Sequence, residues 1–203
     1  MDPEALERWF AEVKRVLEEG YLQHTDPIKQ SGFGGGPARW RAERGPILEA
    51  IDRDGDLLDV GCANGYLLEC LVAWAKERGR ALVPYGVDFS ERFVELTRER
   101  HPAHASHFWV ANAWDWTPPR RFRFVYALLD SVPAELMGAY ATRLIDRAVE
   151  RGGRLIVGHY GSRHRQEQPI EVKAILESAR LKVSGTATGG DPATTRFAWT
   201  DRR

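Results

Sequence analysis

The stretch LLDVGCANGYLLEC, residues 57–70, joins a strand-like run to a helix-like run through a turn that contains glycine. Leu57, Leu58 and Val60 have the apolar character of a strand inside a sheet, and the residues after Gly65 have helical spacing. In an open parallel sheet, ligands bind beyond the carboxyl ends of the strands, beside the first strand. The stretch therefore predicts a ligand site at this turn.

Strand-like and helix-like runs alternate after this point and define the fold. A parallel crossover needs a helix that packs back onto the sheet, so the alternation predicts a doubly wound, mostly parallel α/β sheet of seven strands. The last two strand-like runs, LKVSGTA and TRFAWTD, are separated by a short turn-rich link, which predicts an antiparallel hairpin at the C-terminal end. The other strands are predicted at 56–60, 82–87, 107–112, 123–129 and 154–159, and the helices at 64–78, 90–100, 134–150 and 169–179.

The first 45 residues precede this alternation and are predicted to form a helical cap, or lid, on the α/β core of residues 46–203. An amphipathic helix is expected from residue 3 to residue 19, with Gly20 as its stop signal. Residues 21–37 are so rich in glycine and proline that we expect a mobile loop. The helical stretch after it is expected to be interrupted at Gly45 and Pro46. The length of 203 residues predicts that cap and core form one domain.

Composition restricts the partners and the compartment. The 29 basic and 29 acidic residues cancel, so no overall field attracts nucleic acid or an anionic membrane. Cys62 and Cys70 have the spacing of neither a zinc-ligand pair nor a disulfide framework, which favours a reducing, cytoplasmic setting without a metal site. No signal-peptide pattern and no apolar run of membrane length is visible, which predicts a protein that is neither exported nor inserted.

Three classes of ligand use a glycine turn between a strand and a helix. A phosphate-binding loop of the triphosphatase kind needs a lysine and then Ser or Thr, whereas Gly65 is followed by Tyr66. A dinucleotide fingerprint needs glycine at its first, third and sixth places, where this chain has Gly61, Ala63 and Tyr66. These residues disfavour the triphosphatase and the nicotinamide-dependent oxidoreductase. The third ligand that can use such a turn is S-adenosylmethionine.

The stretch resembles the first motif of the class I, seven-stranded methyltransferases, which use S-adenosylmethionine. Asp59, Gly61 and Gly65 match the acid and the two glycines of that motif, and Ala63 stands where the family often has glycine. The resemblance extends over most of residues 47–200. Its other elements are Asp88 after the second strand, Asn112 and Ala113 after the third, Gly152 and Gly153 before the fifth, and the terminal hairpin.

The resemblance implies that these residues hold S-adenosylmethionine. Asp59 is expected to orient the ammonium of the methionine moiety, Asp88 to accept the ribose hydroxyls, and Asn112 to bond the adenine edge. Three structural alternatives stay open: Asp88 as a helix cap, Asn112 as a turn former, and Trp114 as a core residue. The expected cofactor residues are Asp59, Gly61, Ala63, Gly65, Asp88, Phe89, Asn112, Ala113, Trp114 and Leu129, with Phe89 and Trp114 flanking the base.

The acceptor of the methyl group is expected at the ends of the fourth and fifth strands. Asp130, His159 and Tyr160 are the catalytic candidates, for acceptor contact or proton removal, although Asp130 can also cap a helix and His159 can serve a structural hydrogen bond. The cap is expected to close over the substrate, and an arginine just after the glycine-rich run is expected to meet the cofactor's carboxylate. The candidate lid or substrate residues are Phe33, Trp40 and Arg44.

Together these residues favour in-line methyl transfer from S-adenosylmethionine to a small-molecule acceptor. An RNA or protein acceptor is the alternative, because basic runs at 120–123, 163–165 and 201–203 can join into one local surface. A noncatalytic cofactor-binding or scaffold protein also stays open, since one fold serves many functions.

Overall fold

The computed structural model describes all 203 residues, and its centre is a seven-stranded sheet. The strands lie in the order β3-β2-β1-β4-β5-β7-β6, and β7 runs antiparallel to both of its neighbours. The predicted doubly wound, mostly parallel sheet with a C-terminal antiparallel hairpin is confirmed. The strands are β1 (Gly55–Val60), β2 (Leu82–Asp88), β3 (Phe108–Val110), β4 (Phe122–Leu128), β5 (Val149–Tyr160), β6 (Val183–Gly189) and β7 (Thr195–Asp201).

Six α-helices accompany the sheet, and none lies between β3 and β4. They are α1 (Pro3–Tyr21), α2 (Pro37–Arg44), α3 (Tyr66–Glu77), α4 (Glu91–Arg100), α5 (Met137–Arg147) and α6 (Val172–Ser178). Successive residues of a strand face opposite sides, so Leu57 joins one apolar cluster and Leu58 the other. The strand order reverses at β1, which places the carboxyl end of β1 at the crevice where such sheets bind ligands.

Two boundaries differ from the sequence predictions for identifiable reasons. Gly20 does not stop α1, because the N–H of Leu22 still donates to the carbonyl of Glu18 and extends the helical ladder past the glycine. β5 begins at Val149 instead of residue 154. The extra residues form a bulge, since Phe122 of β4 pairs with Val149 while Phe124 pairs with Arg154.

The predicted interruption at Gly45 and Pro46 is confirmed. α2 ends at Arg44, and the chain continues as a 3-10 helix over Gly45–Ala50. Proline lacks the N–H that a continuing α-helix would use, which accounts for the change of helix type. No helix of this structure combines the length and the apolar character that a bilayer span requires.

The segment predicted as a mobile loop is attached to the turn after β1 by one side chain. Asn64 is fully buried, and its amide nitrogen donates to the Pro27 carbonyl at 3.0 Å and to Gln30 Oε1 at 2.9 Å. Its oxygen accepts from Ser31 Oγ at 2.9 Å. These bonds link residues 27–31, including the 3-10 helix Lys29–Ser31, to the turn after β1.

We expect the substitution Gly20→Ala to raise the free energy of unfolding by roughly 0.5–1 kcal/mol, because glycine costs a helix about that much relative to alanine. A Cβ at Gly20 meets no heavy atom within 4 Å, so the gain carries no steric cost. Urea unfolding followed by circular dichroism measures the change.

Gly65→Ala is the contrasting variant in the same assay. Gly65 has φ +71°, and its Cβ would lie 2.7 Å from Thr97 Cγ2, so we expect a loss of at least about 1 kcal/mol. Equal effects of the two variants would contradict the local conformations described for these glycines.

Candidate functional site

A cavity of about 610 Å³ lies at the carboxyl ends of the central strands. The core contributes residues from the turns and ends that follow β1, β2, β3, β4 and β5, and α1 covers them from the other side. The core residues include Gly61, Ala63, Asp88, Phe89, Asn112, Ala113, Trp114, Asp130 and Tyr160, and those of α1 are Phe10, Val13, Leu17 and Tyr21.

The turn after β1 has a backbone that favours glycine at three places. Gly61 and Gly65 have φ of 86° and 71°, and Ala63 has φ of 45°, in the left-handed region that residues with a Cβ seldom adopt. Gly61 is fixed to the next strand, because its N–H donates to the Val87 carbonyl at 2.8 Å. The positive φ of Ala63 accounts physically for the glycine that the resembling motif often carries there.

Asp88 holds two elements together at the cavity wall. One carboxylate oxygen accepts from the Ala63 N–H at 3.0 Å and the other from the Ser90 N–H at 2.9 Å. Burial raises the pKa of Asp88 to about 6, and the two N–H donors act in the opposite direction. Each carboxylate oxygen can accept a further bond, so Asp88 steadies the start of α4 and still retains acceptor capacity toward the cavity.

Asp59 lies beneath the turn and does not line the cavity. Its side chain is buried, and this burial together with the nearby Asp88 raises its pKa to about 8. Gly65 and Leu129, two other predicted cofactor residues, are also absent from the cavity wall. Gly65 begins α3 as its N-cap, and Leu129 is fully buried in the apolar cluster next to α5.

The segment after β3 forms the cavity wall next to Asp88. Asn112 Oδ1 accepts from the Trp114 N–H at 3.0 Å, so Asn112 does form a turn. The same residue lines the cavity, as do Phe89, Ala113 and Trp114. The ring of Trp114 is partly buried, and the guanidinium of Arg143 lies 4.7 Å from its centre.

Two of the catalytic candidates form a pair at the end of β4 and β5. His159 Nε2 lies 3.9 Å from a carboxylate oxygen of Asp130. The Ile170 N–H donates to His159 Nδ1 at 3.4 Å, which leaves the proton of a neutral ring on Nε2, toward Asp130. Asp130 lines the cavity, and no side chain caps the helical segments after Pro133. Desolvation raises the pKa of Asp130, while His159 and Arg165 lower it.

Arg44, one of the lid candidates, lies among the rings of Tyr160, Phe33 and Trp40. The Tyr160 hydroxyl is hydrogen-bonded to that of Tyr126, and burial raises the pKa of Tyr160. Arg44 and Phe33 line the cavity, and both are buried. Trp40 lies behind them in the core, where its Nε1 donates to Cys70 Sγ at 3.3 Å.

The contribution of α1 to the cavity wall was not predicted residue by residue. Its amphipathic spacing indicated that it covers something, but the sequence does not indicate which residues reach the ligand site. Tyr21 is the clearest omission, because it lines the cavity and packs so closely on Gly32 that a Cβ there would lie 2.2 Å from its ring. Gly32 also has φ +73°, so two constraints select glycine at that position.

The three basic runs do not join into one surface, contrary to the hypothesis drawn from the sequence. Arg121 and Arg202 both donate to the Val149 carbonyl, at the beginning of β5. Arg163 and Arg165 follow the other end of that strand, at the cavity. A strand of 12 residues therefore separates the basic groups near Val149 from those at the cavity.

No protein-family model and no curated relative matches the chain, but many solved structures share its fold. The N-methyltransferase NodS from Bradyrhizobium japonicum WM9, solved with S-adenosyl-L-homocysteine, is 18% identical with a TM-score of 0.69 over 93% of this chain and 97% of NodS. The 1,6-didemethyltoxoflavin-N1-methyltransferase of Burkholderia thailandensis is 16% identical, with a TM-score of 0.66 over 97% of this chain and 90% of the other. The cyclase SpnF is 14% identical, with a TM-score of 0.59 over 78% and 80%.

The raised pKa of Asp59 predicts a pH dependence of stability. An unfolded aspartate titrates near pH 4, whereas Asp59 titrates at about 8 when folded. Between these values the folded chain retains a proton that the unfolded chain has released, so this residue's contribution to the free energy of unfolding falls as pH rises. We expect Asp59→Asn to lose less stability than the wild type between about pH 5 and pH 8, by at least ~1 kcal/mol in urea unfolding.

The comparison tests the Asp59 carboxyl group, because the rest of the sequence is the same in both proteins. Parallel pH profiles of wild type and variant would contradict a protonated, buried Asp59.

Proposed function

We propose that this chain, which has the fold of the class I methyltransferases, transfers a methyl group from S-adenosylmethionine to a small-molecule acceptor. The observation that carries the proposal is one continuous cavity with two chemically different ends. Asp88 and Asn112 offer acceptors and donors at the ends of β2 and β3, and Asp130 and Tyr160 line it at the ends of β4 and β5. The first end suits a nucleoside, and the second suits a nucleophile.

The residues at the first end fit the nucleoside part of the cofactor. Asp88 has unused acceptor capacity for two ribose hydroxyls, and Asn112 has an amide nitrogen left to donate after its oxygen bonds Trp114. Gly61 leaves room at the turn, since even a Cβ there would have no neighbour closer than 3.8 Å. In this proposal Phe89 and Trp114 flank the base and Ala63 and Ala113 complete the wall.

The residues behind the wall support the site without touching the ligand directly. In our proposal Gly65 begins α3 after the turn, and Leu129 packs beneath the end of β4. Asp59 acts on the methionine ammonium through its electric field or through a water molecule. An ammonium group near Asp59 favours the charged carboxylate, so ligand binding is expected to lower the pKa that burial has raised.

The acceptor end is proposed to orient a nucleophile and receive its proton. When bound, the cofactor supplies an electrophilic methyl group on a sulfonium. Asp130 is the proposed base for an acceptor that starts protonated, and His159 positions its carboxylate from behind. Tyr160 contacts the acceptor, and α1 with Phe33 excludes water and aligns the reactants.

Several observations favour a small acceptor in a reducing compartment. In this proposal residues 1–45 are the cap and residues 46–203 the core of one domain. Because α1 of the cap covers the cavity, the space suits a small acceptor. The basic runs near Val149 are too far along β5 to guide a polymer into the cavity. Both cysteines are free thiols, which supports the cytoplasmic setting.

The cofactor proposal predicts that wild-type protein binds S-adenosylhomocysteine and that Asp88→Ala raises the Kd at least tenfold, about 1.4 kcal/mol, through lost ribose contacts. Isothermal titration calorimetry measures both. Glu91→Ala is the matched control, because Glu91 is an exposed acid in the first turn of α4. An unchanged Kd in Asp88→Ala would place the nucleoside elsewhere.

The catalytic proposal predicts that Asp130→Asn lowers methyl transfer by about a hundredfold or more, the usual contribution of a general base, while the Kd for S-adenosylhomocysteine stays within about twofold. Transfer of label from methyl-labelled S-adenosylmethionine to a panel of small amines, phenols and thiols provides the assay. Full activity of Asp130→Asn would show that Asp130 is not the base. Binding without transfer to any acceptor would favour a noncatalytic role.

A further inference from the structure

The loop after β5 carries a basic run that the proposed reaction does not yet use. Residues 163–165 read RHR, and both Arg163 and Arg165 line the cavity. Their side chains are 38% and 68% exposed, so each can meet a molecule that enters. Binding residues are often found on loops that a rigid sheet holds in place, and this loop follows the strand that ends at Tyr160.

Both arginines keep N–H groups that a ligand can use. Arg163 donates from Nη2 to the Asp191 carbonyl at 3.0 Å, which holds the side chain in place and leaves Nη1 without a hydrogen bond to the protein. Arg165 Nε lies 2.9 Å from a carboxylate oxygen of Glu167, and both residues of this pair are exposed. Exposed ion pairs contribute little to stability, so a ligand can compete with Glu167 for the guanidinium.

Positive charge exceeds negative charge at this end of the cavity wall. Glu43 accepts hydrogen bonds from Arg39, and its carboxylate also lies within ion-pair distance of two further arginines, one of them Arg163. One carboxylate is thus shared by three guanidinium groups. A cleft lined by an excess of one sign attracts ligands of the opposite sign. The charged residues of this end are Arg39, Arg44, Arg163, Arg165, Glu43 and Asp130.

Arg165 lies close to the proposed base and to the aromatic part of the wall. Desolvation raises the pKa of Asp130 and of Tyr21, and the charge of Arg165 acts in the opposite direction on both. The rings of Tyr21, Phe33 and Tyr160 line the same end of the cavity. A ligand whose nucleophile faces Asp130 can therefore place a flat ring among these aromatic residues and a second polar group at the arginines.

We propose that the acceptor is a small aromatic acid and that Arg163 and Arg165 bind its carboxylate while its nucleophile faces Asp130. The inference rests on the proposed function, because it names the class of acceptor for that reaction. Charge-assisted hydrogen bonds from a guanidinium to a carboxylate are among the stronger polar contacts in proteins. The two arginines therefore select an acid over a neutral molecule of the same shape.

The first experiment measures binding to wild-type protein saturated with S-adenosylhomocysteine. Isothermal titration calorimetry compares a panel of hydroxybenzoates and aminobenzoates with the corresponding benzamides. Each amide keeps the ring and the nucleophile of its acid but lacks the negative charge. We expect at least one acid to bind about tenfold or more tightly than its amide, and we expect added salt to reduce this difference.

The second experiment assigns the preference to the two arginines. The double variant Arg163→Gln, Arg165→Gln is expected to bind the preferred acid no more tightly than its amide, and to keep the Kd for S-adenosylhomocysteine within about twofold of the wild type. Lysine at both positions keeps the charge without the planar guanidinium and should restore part of the preference. Arg78→Gln is the control, because Arg78 is exposed, lies 3.0 Å from Glu49 and does not line the cavity. Circular dichroism checks that each variant is folded.

Three results would overturn the inference. The wild type may bind no acid of the panel more tightly than its amide, or the preference for acids may survive in the double variant. In the third case the double variant loses affinity for S-adenosylhomocysteine instead, which would assign the two arginines to the cofactor. A failure of the proposed function looks different, since the wild type itself would then not bind S-adenosylhomocysteine.

Discussion

The hydrogen bond from the Ala63 N–H to the Asp88 carboxylate is the contact on which the site depends. It holds the turn after β1 against the end of β2, in a backbone conformation that Ala63 would seldom adopt alone. The neighbouring Asn64 then uses its whole amide to attach residues 27–31. One short turn thus joins the two central strands, the start of α3 and the N-terminal segment, which explains why its sequence is the most informative in the chain.

The sheet could be predicted from the sequence because each strand is marked by residues that are neighbours in the chain. Apolar runs mark the strands, and their order along the chain places Gly61, Asp88, Asn112 and Asp130 at one edge. The early start of β5 escaped prediction, because a bulge carries polar residues that do not alternate. The burial of Asp59 and of Arg44 also escaped it, since both depend on which distant side chains pack around them.

The fold alone does not decide the chemistry, so the proposed reaction depends on the residues that line the cavity at the ends of β4 and β5. A cyclase shares this fold with N-methyltransferases at a similar level of likeness. In this chain, charged and aromatic groups meet at the ends of β4 and β5. There an acid faces a histidine, and a stacked arginine lies among aromatic rings.

The attachment of residues 27–31 to Asn64 restricts how the N-terminal segment can move. The three hydrogen bonds of Asn64 oppose a movement of the N-terminal segment as a unit. Ser90, at the start of α4, adds a hydrogen bond to Glu18 of α1. By contrast, a Cβ at Gly34 or Gly36 would meet nothing within 4 Å. Packing therefore opposes a local movement at Gly34 and Gly36 less than it opposes a movement of the whole cap.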